Sequence, residues 1–194
     1  MRRNAPWPVL LGLLVVASLA FGYDYPLSST AIREAYLLGT ATNGASEDFL
    51  AQYTHTLPKL NMGTYTSDVR IETPYVQVAE HARQTVNYSA QDALKDYLSA
   101  PPSVFLMQLD ICFGHKESQS MKFKITQNDK ELAPISVERS PYFAGGRHGP
   151  SQVIGEHVML QFEASEIESS PLTVEIETPD GRHTETTFDL ARLK

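Results

Sequence analysis

From Ser103 onward the apolar residues fall into runs with a spacing of two, which extended strands with one buried face satisfy and helices do not. Phe105, Met107, Leu109, Ile111 and Phe113 occupy one face of the first run. Val104, Leu106, Gln108, Asp110 and Cys112 occupy the other, and a face that is half apolar over such a length belongs to a central strand. Met121, Phe123 and Ile125 alternate with Lys122, Lys124 and Thr126, the pattern of a half-exposed strand. Asn128-Asp129 turns the chain, and Ile135 and Val137 open the next strand after Pro134. Ile154, Val158, Leu160 and Phe162 face inward from another. Leu172, Val174 and Ile176 lead into Pro179-Asp180-Gly181, and Thr184 to Leu190 returns with Phe188 inward, a β-hairpin. Strands at this interval predict an antiparallel β-sandwich of immunoglobulin-like architecture over residues 103–194. The Cys…Trp…Cys signature of antibody domains is missing, since the chain has one Cys.

The front half keeps a helical period. Ser28-Ser29-Thr30 offers capping hydroxyls to a helix over Ala31 to Leu38 that stops at Gly39. Asn43-Gly44 marks a turn, and Ser46 caps a second helix whose stripe is Phe49, Leu50, Tyr53 and Leu57, ended by Pro58. The two read as an antiparallel hairpin. Asp68 to Glu72 alternates as one short strand, and Thr73-Pro74 opens a helix over 74–85. Ser89 and Asp92 form a capping box for a further helix to Leu98, stopped by Pro101-Pro102. The expected class is therefore α+β, with short N-terminal helices (23–102, one strand among them) packed on the C-terminal sandwich.

Residues 1–22 read as an address. Arg2 and Arg3 precede the uncharged run Val9 to Phe21, which is shorter than the roughly 20 apolar residues of a membrane span. Small residues permit cleavage after Gly22 or after Ala20, the pattern of a Sec signal peptide, with a retained helical anchor as the other reading. Cleavage after Gly22 removes two of the 16 basic residues and no acid, leaving fourteen against 23, a net charge of −9. It also removes Trp7, the only Trp. An acidic chain of this kind lacks the basic footprint of a nucleic-acid binder. The expected location is secreted or periplasmic, with no stable membrane span after cleavage.

Chemistry is sparse. Residues 140–153 form the longest stretch without period, and Tyr142, Phe143, Arg147 and His148 within it are the candidate binding residues, set against a reading in which its Gly and Pro serve turns only. Asp110, His115, His148 and Glu156 form the alternative acid–base set, if the ends of their strands converge. His157 stands on the strand face opposite Glu156. There is no HExxH spacing, no GxSxG elbow and no cofactor motif, so neither a metal nor a cofactor is assigned. Cys112, flanked by apolar neighbours, reads as a buried small side chain. The C-terminal hairpin is acidic, with Glu175 and Glu177 on one face and Glu185 near them: a solvated face, a weak Ca²⁺ site or a surface for a basic partner. The expectation is an exported, non-enzymatic binding or accessory domain that meets a protein partner through the 140–153 loop or the acidic hairpin. Its rival is a secreted hydrolase using the Asp/His set.

Overall fold

The computed structural model describes residues 22–41, 45–59, 63–113, 121–144, 152–179 and 181–194. The signal-peptide reading of residues 1–22 falls almost wholly outside them, as do Arg147, His148 and His115. The described chain is α+β, with four helices and two antiparallel sheets, neither closed into a barrel. In chain order the elements are α1 (Ser29–Gly39), α2 (Ala45–Ala51), β1 (Thr54–Thr56), β2 (Tyr65–Glu72), α3 (Pro74–Gln84), α4 (Ala90–Ser99), β3 (Val104–Cys112), β4 (Lys122–Gln127), β5 (Lys130–Leu132), β6 (Ser136–Ala144), β7 (Gln152–Glu163), β8 (Pro171–Glu177) and β9 (His183–Asp189). A single 3-10 turn, Ala164–Glu166, follows β7.

The capping residues act as their chemistry predicts. Ser28 accepts from the Ala31 amide, Thr73 accepts from Val76 with Pro74 at the first helical position, and Ser89 and Asp92 complete the capping box of α4. Asn128 and Asp129 both adopt positive φ, 51° and 61°, as a tight turn between β4 and β5 requires. The second helix departs from expectation. It ends at Ala51, and Thr54–Thr56 instead forms β1, paired antiparallel with Asp68–Arg70 of β2. Two β-branched threonines favour an extended backbone, and the ladder satisfies amides that a last helical turn leaves open. Helices and strands are thus interleaved along the chain, because β1 and β2 precede α3.

The larger sheet has the order β1-β2-β3-β7-β6 and the smaller β5-β4-β8-β9. β3 is central in the larger sheet, paired with β2 on one side and β7 on the other. The inward residues of both sheets belong to one core. Val69, Ile71, Phe105, Met107, Leu109, Ile111, Val158 and Leu160 from the larger meet Ile125, Leu172, Val174, Ile176 and Phe188 from the smaller. Gln127 is buried with them and fully bonded, donating to the Glu168 and Ser170 carbonyls and accepting from the Glu168 amide.

A second cluster holds the helices together. Ile32 and Ala35 of α1 pack with Tyr75, Val78 and Ala79 of α3 and with Ala93 and Tyr97 of α4, while α2 adds Phe49 at the margin. The expected α1–α2 hairpin is therefore replaced by packing of α1 on α3 and α4. Gly39 permits it, since a Cβ there would lie 2.1 Å from the Ala79 carbonyl oxygen. Polar contacts tie the helices to the larger sheet. Gln77 donates to the Glu72 and Val104 carbonyls, and Arg70 lies between Glu72 (3.2 Å) and Glu80 (3.1 Å). Burial pushes the Glu72 carboxyl up, against the downward pull of Arg70.

Candidate functional site

The outer face of the larger sheet assembles the most chemistry. Antiparallel register sets Thr56, Asp68, Asp110, His157 and Ser140 in one row across β1, β2, β3, β7 and β6. The Asp110 carboxylate contacts Nδ1 of His157, an arrangement that orients the imidazole and presents its other nitrogen outward. Asp68 is engaged by the Thr56 hydroxyl at 2.7 Å. The Tyr142 ring flanks the imidazole at 4.9 Å, yet His157 remains 59% exposed, so the Asp–His pair stands open to water.

Glu156 immediately precedes His157 on β7. It pairs in register with Ile111, one residue from Asp110, and so lies on the opposite face of the sheet. There it is bound by Arg139, whose guanidinium also lies over the Phe123 ring at 5.8 Å. Of the acid–base set, then, Asp110 and Glu156 are not brought together, and the imidazole that meets Asp110 is that of His157. Two outward residues on neighbouring strands carry no linear motif; register alone joins them.

The stretch read as a loop is in large part strand. Residues 140–144 belong to β6 and 152–153 to β7. β6 is an edge strand, where Pro141 is tolerated because an amide there need not pair. Tyr142 crosses β7 above Gly155, and its hydroxyl donates to the Ile111 carbonyl of β3 at 2.7 Å. Gly155 is required by this: a Cβ would lie 2.1 Å from the Tyr142 ring and 2.2 Å from that same carbonyl oxygen. Cys112 completes the group, half-buried with its sulfur 3.3 Å from the Tyr142 hydroxyl, rather than sealed in the core as its apolar neighbours suggest. Burial first, and the Cys112 thiol second, push the Tyr142 phenol up, so it stays a donor. Tyr142 thus acts as a strut between strands.

Phe143 is different. It is 57% exposed, Val153 opposite it and the neighbouring Ile154 are exposed with it, and Ile135 and Val137 are exposed at the other end of the same strand. Among the described residues eight large apolar side chains are exposed, and these five all lie on β6, on β7 or at the entry to β6. Cover from the smaller sheet is partial: Arg139 of β6 lies against Phe123 of β4, while Val137, two residues away on the same face, is half exposed. The core-side face of β6, carrying Val137, overhangs its cover.

The acidic hairpin is less acidic in place than in sequence. Glu175 does stand opposite Glu185. β4, however, lays Lys124 against Glu175 at 3.4 Å and Lys122 against Glu177 at 3.2 Å. Among the described residues no group of three or more His, Cys, Asp or Glu is arranged to hold a metal ion, and no helix is long and apolar enough to cross a membrane. No protein-family model and no curated protein matches the chain.

Proposed function

We propose that this protein is an exported binding or accessory domain of the cell envelope or secreted fraction, and that the overhang of β6 and β7 is its contact surface. In this reading the two sheets form a β-sandwich of immunoglobulin-like architecture, braced by the helices. One observation carries it: five of the eight exposed large apolar residues lie along one edge, Ile135 and Val137 on one side of the Arg139–Glu156 pair and Phe143, Val153 and Ile154 on the other. Exposed apolar residues concentrated along one edge mark a protein contact surface. Pro141, Glu138 and Arg139 guard the strand edge against strand addition, so the partner packs on the face of β6.

The test uses the full chain in its native host, with a photo-crosslinking residue at Phe143 or, as control, at Thr187 of β9. A discrete adduct from position 143 that is lost when Val137→Asp is added supports the reading. Equal adducts from both positions, or none from 143, overturn it. Processing is checked by mass: a chain beginning at Tyr23 or Phe21 outside the cytosol is expected, and an intact Met1 on intracellular protein contradicts export.

The Asp110–His157 contact favours a second reading, a secreted hydrolase in which this pair is the acid–base couple. It requires turnover of a model ester or glycoside that His157→Ala abolishes. The leading reading expects no turnover above buffer in either form.

A further inference from the structure

Away from the overhang, α3 and the C-terminal end of α4 enclose an open cavity of about 450 Å³. Its base is apolar, built from Val78, Ala93 and Tyr97, all buried. Its rim carries Tyr88, Asp96 and His81. The Tyr88 hydroxyl donates to Asp96 at 3.0 Å, and the His81 ring meets the Tyr88 ring edge-on at 4.9 Å. Three features bias this site toward positive charge. Asp96 contributes a carboxylate with oxygen lone pairs beyond the one that Tyr88 uses. The end of α4 contributes the partial negative charge of a helix C-terminus, and no basic residue lies in its last turn. The aromatic rings of Tyr88 and Tyr97 line the cavity beside that charge. The neighbouring Lys95 exerts its attraction on Asp92, at the other end of the helix.

We propose that this cavity binds a small organic cation, an ammonium group on a compact apolar body that sits over Val78 and Ala93 with its charge against Asp96. A cavity of this volume falls in the range of small-molecule sites, and the mix of an apolar base with a few convergent polar groups is their usual composition. The site is independent of the β6 surface, so neither reading depends on the other.

The experiment titrates the full mature chain with choline, n-butylammonium and 3,3-dimethylbutan-1-ol, the uncharged isostere of choline, following the backbone amides of residues 93–100 by NMR. The titration is run at pH 8. Saturable shifts with choline or n-butylammonium are expected, with the neutral alcohol weaker by about tenfold or more. The stronger of the two cations tells a quaternary from a primary amine site. Asp96→Asn, which keeps shape and an acceptor for Tyr88, is expected to weaken the cation by about tenfold while leaving the alcohol and the circular dichroism spectrum unchanged. Equal affinity for alcohol and cation, an Asp96→Asn variant that binds like the parent, or no shift at about 50 mM of either cation overturns the proposal.

Discussion

At the β1–β9 edge the two sheets meet through side chains, whereas at the β6 edge one sheet runs on past the other. His55 of β1 stacks on Phe188 of β9 with ring centroids 4.1 Å apart, and its Nδ1 bonds the Thr186 hydroxyl at 2.6 Å. That edge is closed by protein. At the far edge Val137 lies on the same core-directed face and is 50% exposed. The contrast teaches that equal hydrophobic patterning produces burial only where the facing sheet supplies a covering side chain.

The largest expected effect breaks the closed edge. Phe188→Ala removes a fully buried ring from the core and the platform under His55, and is expected to cost about 3–5 kcal/mol in urea unfolding. A loss below that of an ordinary surface substitution would show that the closed edge does not hold the sheets. Next, Gly155→Ala forces a methyl into the space of the Tyr142 ring and the Ile111 carbonyl, with an expected loss of about 1–3 kcal/mol. Adding Tyr142→Ala relieves only the ring contact, so recovery in the double variant should be partial.

A smaller effect is read through pH. Burial holds His55 below the ordinary imidazole value, so the folded protein takes up its proton less readily than the unfolded chain. No contribution is felt above about pH 6.5, and stability is lost as pH falls from there toward the depressed folded value. His55→Asn should flatten the difference in thermal midpoint between pH 7.5 and 5 relative to the parent; an unchanged difference would remove His55 from the account. The smallest effect sharpens the open edge: Val137→Ser is expected to move stability by less than about 0.5 kcal/mol while abolishing the crosslink at position 143. A marked loss of stability would mean that the overhang is part of the core after all.

Legibility followed the range of the interactions. The caps at Ser28, Thr73 and Ser89 act within three or four residues, and the alternation of β3, β4, β8 and β9 reports one buried face, so all of these could be read in advance. The helix expected through Leu57 could not, because the ladder that draws Thr54–Thr56 into β1 comes from β2, a dozen residues on. Residues 140–144 resembled a loop for the same reason, since Pro141 is compatible with a strand only at an edge and the order of strands is a tertiary fact. In the candidate site, Asp110 and Phe143 were identifiable by type and place. His157 as the partner of Asp110, and Tyr142 as a strut over Gly155, depended on register across three strands.

The order of residues alone determined which stretches carry a helical or an extended period, where three helices start, and that the chain is acidic with an apolar run near its start. Those properties reside in neighbours along the chain, where propensity, capping and alternation act. Only the tertiary structure decided that β6 outruns its cover, that lysines of β4 offset the hairpin's glutamates, and that α3 and α4 leave a cavity with Asp96 on its rim. Each of these depends on which strand or helix faces which, and that choice is made by packing between segments far apart in sequence.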